Sequence, residues 1–352
     1  MKQICLSNKF NTRIALCMLC IFTLGFMLIG CADTKTEDEF KVAMLLPASK
    51  TDAGWNALAY EGLLAIEEEL GAKIMDVESR TSTEQEQHFR YYAEKGFDLV
   101  FGHGYEFQNP AKAVAPDFPD TIFMTSSGGT ITTNIAPVNF RVEQPAYLLG
   151  IIAGMMTQGN KLGTIGGDEI PSVKSTFIAF EAGAKSVNPD VDVRSVYVGN
   201  WEDIVKGKEL ATALINEGVD FLFPNADAAG LGAFEAAENA QAEGKTVYTF
   251  GANRDKSEIS PTTVLANAVI TPKAFVKVAK EVKDAKFKPD TEFKSQLFTF
   301  NMLTDQAITL TYNDKLKDKI PQEVLDAVEA AKAKILSGEL EVPQIDFTQA
   351  KE

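Results

Sequence analysis

Residues 40–66 read FKVAMLLPASKTDAGWNALAYEGLLAI, which combines a strand-like run, a polar loop and a helical pattern. The strand-like run ends at Pro47, and the helical pattern begins at Trp55. Loops at the carboxyl ends of parallel strands converge on one crevice, where open α/β sheets bind their ligands. We therefore expect the loop from Asp52 to Asn56 to lie at a ligand site.

This loop contains Trp55, one of only two tryptophans in the chain. An indole beside Asp52 and Asn56 offers a flat apolar face next to hydrogen-bonding groups, which suits a planar ligand with polar edges. The alternative is that Trp55 only packs the helix against the sheet. Its position in the sequence does not separate these two interpretations.

The rest of the chain repeats the alternation of strand and helix. Strand-like runs are predicted at 40–47, 72–77, 98–102, 121–125, up to 140, 162–166, 191–198, 221–224, 246–250, 262–270 and 296–302. Helical patterns are predicted at 55–70, 83–95, 110–118, 146–156, 172–186, 203–217, 230–241, from 272 and after 304. Strands separated by 10 to 15 helical residues indicate βαβ units and parallel sheets.

A chain of 352 residues is longer than one hydrophobic core usually serves. We therefore predict an α/β protein with two Rossmann-like lobes joined by crossover segments. The first lobe comprises 40–140 with about 271–292, and the second comprises 141–270 with about 293–352. Two such lobes form a cleft that can enclose a small molecule.

The first 31 residues have the layout of a secretory signal peptide, with three basic residues before an uncharged apolar run from Ile14 to Ile29. The run is short for a membrane span. It ends at Gly30-Cys31, which resembles a bacterial lipobox, so we predict lipidation of Cys31 and a polar tether at 32–39. An uncleaved anchor is the alternative. All four cysteines lie in this segment, which leaves no thiolate for a metal site or disulfide beyond it.

The formal net charge is −15, and removal of the three basic leader residues makes it more negative still. Such a protein repels nucleic acid and anionic lipid surfaces, so neither is an expected partner. The lipid on Cys31 is then the expected link to a membrane. No cofactor and no metal are expected.

Further candidate site residues follow other strands. His103 and Tyr105 follow the third strand, and Trp201 follows a strand of the second lobe, where Asp203 can cap the next helix. Asp227 and Asn253 lie in two other second-lobe loops. Each loop alone could be an ordinary turn, but polar loops on both lobes are what a two-sided cleft requires.

The sequence contains few of the motifs that would indicate an enzyme. Gly163 to Asp168 lacks the G-x-G-x-x-G spacing of a dinucleotide site, and a plain turn is the better interpretation. With two histidines and no cysteine after Cys31, the chain has little material for a zinc site or a nucleophilic triad. A nucleoside hydrolase or NAD-dependent oxidoreductase is the enzymatic alternative.

Several motifs resemble the basic membrane protein family, the Bmp/Med group of substrate-binding lipoproteins of ABC transporters. They are the loop Asp52–Asn56 with Tyr60-Glu61-Gly62, the run 141–150, the run 197–209, Asn225–Gly232 and the turn from Gly251 to Asp255. The resemblance covers nearly all of the chain after the leader. It implies a type I periplasmic-binding-protein architecture, export, and partnership with an ABC permease and ATPase.

Characterised members of that family bind purine nucleosides or nucleobases. The resemblance implies that Trp55 stacks on the base, that Asn56 frames the site, that the turn at Asn253 contacts the ribose, and that Lys273 assists. The chain differs at two places: Leu45-Leu46-Pro47 lacks the family's aspartate, and Asn253 replaces a sugar-binding aspartate. A free base or another small ring is therefore a second expectation for the ligand. We expect a monomer without catalytic residues, and a surface adhesin or sensor of the same fold is a further alternative.

Overall fold

The computed structural model describes residues 39–303 and 306–345. The predicted signal peptide, Cys31 and the tether up to residue 38 lie outside this part of the chain, and so do the last seven residues. None of the helices within the described ranges combines the length and the apolar character needed to cross a membrane.

The first sheet has six strands, and all of its pairs are parallel. The strands are β1 (Lys41–Leu46), β2 (Lys73–Glu78), β3 (Leu99–Gly102), β4 (Ile122–Ser126), β5 (Ile135–Phe140) and β11 (Phe298–Phe300). Their order in the sheet is β11-β5-β4-β3-β1-β2. The side chains of β3 and β5 are buried throughout, as expected for parallel strands covered on both faces.

The second sheet also has six strands: β6 (Lys161–Gly166), β7 (Asp192–Tyr197), β8 (Phe221–Asn225), β9 (Tyr248–Asn253), β10 (Val264–Ile270) and β12 (Ile308–Tyr312). Their order in the sheet is β12-β10-β9-β8-β6-β7. Only β12 is antiparallel to its neighbour within the described sheet. The predicted α/β class with two mostly parallel sheets is therefore confirmed.

Helices cover both faces of each sheet. They are α1 (Trp55–Leu70), α2 (Ser82–Glu94), α3 (Gln108–Val114), α4 (Glu143–Met156), α5 (Pro171–Val187), α6 (Ile204–Asn216), α7 (Leu231–Ala242), α8 (Lys273–Phe287) and α9 (Gln322–Ser337). Helices α1 and α8 pack together over the first sheet, with α2 and α3 on its other face. Helices α4, α5 and α9 cover one face of the second sheet, and α6 and α7 cover the other.

The structure corrects two predictions for the C-terminal part. The predicted second lobe included residues from about 293, but β11 pairs with β5 in the first sheet, where Phe300 adds to a row of buried aromatic rings. Helices are predicted after 304, and α9 (Gln322–Ser337) agrees with this, but Ile308–Tyr312 forms β12. The alternating β-branched residues of this segment, ITLTY, are typical of a strand at a sheet edge.

The chain crosses from the first lobe to the second after β5, returns to the first lobe after β10, and crosses to the second again after β11. In each sheet the first strand lies between the second and the third, which is the topological switch point of a doubly wound fold. The loops after β1 and β3 flank this point in the first lobe, and the loops after β6 and β8 flank it in the second. This arrangement places the four loops at a common cleft.

Candidate functional site

A cavity of about 360 Å³ lies in the cleft between the two lobes. This volume falls within the usual range for small-molecule sites. Residues of both lobes line it: Pro47, Ala48, Trp55, Asn56, Gly104, Tyr105, Glu106, Ser127, Phe140, Val142, Glu143, Asp168, Ile170, Ser172, Val173, Thr176, Trp201, Asn225, Asp227 and Asn253. Most of them follow the carboxyl end of a strand, as the topology requires.

Trp55 is held rigidly in the first-lobe wall of this cavity. Its indole stacks on the His103 imidazole with ring centroids 4.0 Å apart and an interplanar angle of 21°. The indole Nε1 donates to the His103 carbonyl at 3.1 Å, and Phe140 packs edge-on against the ring at 5.9 Å. Because the ring is fixed by these contacts, little conformational entropy remains to be lost when a ligand stacks on it.

His103 supports Trp55 as a neutral side chain. It is fully buried, and burial lowers its pKa to about 3. Its Nε2 lies 3.0 Å from the Trp55 carbonyl, which can only accept, so Nε2 carries the proton. The Nδ1 atom then accepts from the Ser126 hydroxyl at 2.9 Å. His103 is therefore a positioning residue behind the wall and has no contact with the cavity.

Asp52 organises the start of α1. Its Oδ1 accepts from the backbone N–H groups of Gly54 and Ala57, and its Oδ2 accepts from the backbone and side-chain amides of Asn56. A carboxylate at a helix N-terminus satisfies N–H groups that lack intrahelical partners and interacts favourably with the helix dipole. Asp52 thereby fixes the orientation of Asn56, which lines the cavity.

The second-lobe wall includes a hydrogen-bonded row of polar side chains. Asn225 donates through Nδ2 to the Thr176 hydroxyl at 3.2 Å and accepts through Oδ1 from Asn253 Nδ2 at 3.3 Å. All three residues are buried at the cavity wall. Asn225 is the last residue of β8 and Asn253 is the last residue of β9, whereas Thr176 lies in α5. The row of hydrogen bonds therefore connects α5, β8 and β9.

The two lobes meet beside the cavity at Gly54. The Asp227 Oδ1 atom of the second lobe accepts from the Trp55 backbone N–H at 3.0 Å, and the Lys256 ammonium group donates to the Ala53 carbonyl. A Cβ atom on Gly54 would lie 2.5 Å from Asp227 Oδ1 and 3.0 Å from its Cα. Glycine is therefore needed here for the close approach of the lobes.

Backbone strain marks the same contact. Ala53 has φ of 58° and Asp227 has φ of 47°, both in the left-handed region that non-glycine residues rarely adopt. Asn253 at the cavity wall has φ of 64°. Such strained residues cluster at ligand sites and switch regions, where the surrounding structure holds them in place.

Two ion pairs connect the lobes outside the cavity. Arg254 of the second lobe pairs with Glu61 on α1, and Arg80 of the first lobe pairs with Glu202 at an N–O distance of 3.0 Å. The side chains of all four residues are partly exposed to solvent. They therefore add modest, salt-sensitive stabilisation to the closed arrangement.

Burial shifts the pKa values of the two charged residues at the lobe contact in opposite directions. Asp227 is enclosed by protein except where it faces the cavity, and this burial, together with the charge of Asp52, raises its pKa to about 7. Burial lowers the pKa of Lys256 to about 8, against the opposing effect of Asp227. Both groups thus lose hydration where the lobes meet. Each keeps a hydrogen-bond partner in the first lobe, which is the Trp55 N–H for Asp227 and the Ala53 carbonyl for Lys256.

The structure brings most of the predicted site residues together. Trp55, Asn56, Tyr105, Trp201, Asp227 and Asn253 all line the cavity. Asp52 and His103 lie directly behind its wall. Lys273 does not line the cavity: it is exposed at the start of α8, with its Nζ 3.5 Å from Gln306 Oε1. Asp203 caps α6, as predicted, by accepting from the Lys206 backbone at 2.9 Å.

Sequence reasoning missed several lining residues, above all Glu106, Glu143, Asp168 and Thr176. The interpretation of Gly163 to Asp168 as a plain turn overlooks that β6 occupies in its sheet the position that β1 occupies in the first. This equivalence could have identified Asp168. Glu143 opens the helix directly after β5, so its place at a strand end was also a usable signal.

Within residues 39–303 and 306–345, no cluster of three or more His, Cys, Asp or Glu side chains has an arrangement suited to a metal ion. The cavity offers aromatic faces, amides, hydroxyls and carboxylates. These are groups that recognise an organic molecule by stacking and by hydrogen bonds at its edges.

Comparison with known proteins identifies the family. Residues 40–346 match the Bmp family model, described as ABC transporter substrate-binding protein PnrA-like. The chain belongs to this family. It is therefore an ABC transporter substrate-binding protein, which confirms the resemblance drawn from the loop at Trp55 and the runs that follow it.

Individual relatives show how far this similarity extends. The nucleoside-binding protein BmpA of an ABC transporter from Lactococcus lactis is 27% identical over 328 residues, covering 88% of this chain and 90% of its own. A purine-binding protein from Brucella abortus is 28% identical over 319 residues, covering 90% and 86%. A crystal structure of a solute-binding protein from Aeropyrum pernix superposes with a TM-score of 0.77 at 22% identity, covering 87% and 94%, and supports the fold alone.

Proposed function

We propose that this chain is the solute-binding lipoprotein of an ABC importer and captures a purine nucleoside or nucleobase in the cavity between its lobes. The observation that carries the proposal is the fixed indole of Trp55, whose exposed part lines a cavity of about 360 Å³. A planar heterocycle is the ligand that such a face binds best, and base–aromatic stacking contributes about 1–3 kcal/mol.

The second lobe supplies the groups that would read the ligand's edges. Thr176, Asn225 and Asn253 form one hydrogen-bonded row along the cavity wall, and Asn56 faces the cavity from the first lobe. A site built to hydrogen-bond one ligand rejects an analogue that leaves these buried groups unpaired, at about 1–3 kcal/mol for each group. The names of the relatives that bind nucleosides and purines support the same ligand class.

Tyr105 and Trp201 extend the proposed site at its two sides. Trp201 is braced by the backbone of Gly167, where a Cβ atom would lie 2.1 Å from the indole. Tyr105 is 37% exposed, so its side chain has room to adjust to a sugar or to its absence. Lys273 would contribute to binding only after a change in conformation, because it lies outside the cavity.

The ligand class is tested by a thermal-shift panel on the chain from residue 32, which retains every described element. The panel contains adenine, guanine, adenosine, guanosine, inosine, uridine, ribose and amino acids. A ligand at about 100 times its dissociation constant adds about 2.7 kcal/mol of stability, which moves the melting midpoint by several degrees. We expect shifts with purines and none with uridine or amino acids. Shifts confined to non-purines would overturn the proposed ligand class and leave the family assignment intact.

The proposed anchor and partners have their own tests. Cys31→Ser should abolish fatty-acid incorporation and move the protein from the membrane fraction to the soluble one. The proposed transport role predicts that deletion of the gene for this chain abolishes purine uptake. It also predicts that an ABC permease co-purifies with the lipidated protein, with one monomer of this chain bound to each permease complex. Unchanged uptake would favour a surface sensor instead.

A further inference from the structure

The charge of the cavity wall is one-sided. Four of the described lining residues carry carboxyl groups, namely Glu106, Glu143, Asp168 and Asp227, and no Lys, Arg or His is among the described lining residues. Lys256 and Arg141 lie outside the lining, near Asp227 and Glu143 respectively. Carboxylates accept hydrogen bonds and attract positive charge, whereas they repel anions. The wall therefore favours a ligand that brings proton donors or a positive charge.

Two of these acids line the cavity from opposite lobes. Glu106 follows β3 in the first lobe, and Asp168 follows β6 in the second. Although Glu106 borders the open space of the cavity, the surrounding protein raises its pKa, and the charge of Asp168 adds to this effect. The two lobes thus place carboxyl groups of like charge around one cavity, and a cation bound there would attract both.

Glu143 provides an independent indication. It is only 2% exposed and lines the cavity from the start of α4. Its Oε1 accepts from the Ser175 hydroxyl at 3.2 Å, but Oε2 has no hydrogen-bond partner among the described residues. The Arg141 Nε atom lies 3.7 Å from Oε2, which is close enough for an ion pair but beyond hydrogen-bond distance. A buried carboxylate oxygen at the cavity wall is therefore free to accept from a ligand.

The aromatic side chains add to the same preference. Trp55 lines the cavity from the first lobe and Trp201 from the second. Indole is the aromatic face that attracts cations most strongly, and the attraction increases when water is excluded. The volume of the cavity and the absence of a three-residue acidic cluster in the described part of the chain fit an organic cation better than a metal ion.

We infer that the cavity selects a positively charged nitrogen heterocycle, and that Glu106 and Asp168 are the residues that determine this selectivity. The inference rests on the proposed function, which it narrows to purines whose ring carries a positive charge, such as N-methylated nucleosides. The tryptophans stack on the ring, while the carboxylates of the two lobes neutralise its charge.

The test compares two ligands of the same composition by isothermal titration calorimetry with the chain from residue 32. One ligand is 1-methyladenosine, a cation at neutral pH, and the other is N6-methyladenosine, which is neutral. We expect 1-methyladenosine to bind at least tenfold more tightly. Glu106→Gln and Asp168→Asn should each reduce this ratio at least threefold, whereas Asp190→Asn, at an exposed position outside the cavity lining, should leave it unchanged.

The outcomes separate this inference from the proposed function. Equal affinity for the two ligands would overturn the inference and leave purine binding intact. A preference that persists in both variants would overturn the role of Glu106 and Asp168. If neither purine binds but 1-methylnicotinamide, whose ring is a permanent cation, does bind, and Glu106→Gln abolishes its binding, the purine proposal fails and the charge selectivity stands. Absence of binding by all three ligands would contradict both.

Discussion

The two walls of the cleft differ in how they are held. In the first lobe, Trp55 is fixed by stacking on the buried His103 and by hydrogen bonds in both directions between the two residues. In the second lobe, Asn225 joins Thr176 and Asn253 through bonds of 3.2 and 3.3 Å, near the long end of the normal range. The aromatic wall is thus set before a ligand arrives, whereas the amides of the other wall can exchange partners with a ligand.

This difference assigns separate tasks to the two walls. A rigid aromatic face supplies affinity for planar rings with little regard to their substituents. Hydrogen-bonding side chains distinguish one ring from another, because each mismatch leaves a buried group unpaired. At the contact beside Gly54, Asp227 accepts a hydrogen bond from the Trp55 backbone N–H, and this bond joins the two walls in the closed arrangement.

The largest effect should come from preventing the walls from meeting. Gly54→Ala places a Cβ atom 2.5 Å from Asp227 Oδ1, which requires the lobes to separate. Overpacking of this kind costs up to about 3 kcal/mol, which corresponds to about a hundredfold loss of ligand affinity. Calorimetry should show the loss, and small-angle scattering should show a larger radius of gyration. Adding Asp227→Gly removes the clashing side chain together with the acceptor of the Trp55 N–H, so the radius of gyration, rather than the affinity, should return towards the wild-type value. No recovery would mean that Gly54 acts in another way.

Removing the support of the aromatic wall should have the next largest effect. His103→Ala deletes the stacked ring and leaves the Trp55 carbonyl without its donor, so we expect about 2–4 kcal/mol lower unfolding free energy in urea. Affinity should fall about threefold to tenfold because Trp55 is no longer fixed. His88→Ala, at a half-buried position on α2, is the matched control and should change affinity little. If both variants bind equally well, Trp55 does not need its support.

The lobe contact should also give the protein a pH dependence. An aspartate titrates near 3.9 in an unfolded chain, whereas the Asp227 pKa is raised to about 7 in the folded protein. The folded state therefore binds the proton more tightly, and Asp227 lowers the unfolding free energy as the pH rises from about 4 to 7. The slope is at most about 1.4 kcal/mol per pH unit.

Urea unfolding of the wild type and of Asp227→Asn across this pH range measures that contribution. The variant retains an oxygen that can accept from the Trp55 N–H, so the contact between the lobes should persist. Because an amide does not titrate, the unfolding free energy of the variant should lack this part of the pH dependence. Asp190→Asn should retain the wild-type profile. Identical profiles for the wild type and Asp227→Asn would contradict the assignment of the slope to this carboxyl.

The smallest effect should come from the ion pair outside the cavity. Glu61→Gln removes the partner of Arg254, and partly exposed pairs contribute about 0.2–1 kcal/mol. Affinity should therefore fall less than about fivefold, and the difference should disappear at high salt. Glu181→Gln removes a pair with Lys185 that lies wholly within α5 and should not change affinity. A larger loss with Glu61→Gln would place this pair among the main contacts that close the cleft.

The same contrast explains which parts of the site the sequence could predict. Trp55 and Trp201 are the chain's two tryptophans and each follows a strand, so rarity and position together indicated them. Thr176 is a common residue type inside the helical pattern at 172–186, where an exposed surface position is the usual interpretation. Its role depends on how α5 begins at the cleft, which is a property of tertiary structure.

The fold was more predictable than the site. Buried runs such as β3 and β5 stand out because both faces of a parallel strand are covered, and the alternation with helices gave the two sheets. The assignment of β11 to the first sheet could not be predicted, because a strand of three residues carries no information about its neighbour. Lys273 was expected at the site by resemblance, yet the position of α8 keeps it outside the cavity.

The most direct test of the account is the titration of adenosine, guanosine, inosine and adenine into the wild type, Trp55→Ala and Tyr91→Ala by calorimetry. Tyr91 is an exposed aromatic residue on α2 and does not line the cavity, so it controls for loss of an aromatic side chain. We predict one bound purine per chain, affinity at least tenfold weaker in Trp55→Ala, and no change in Tyr91→Ala. Unchanged affinity in a correctly folded Trp55→Ala protein would contradict the proposal that this indole forms the binding face.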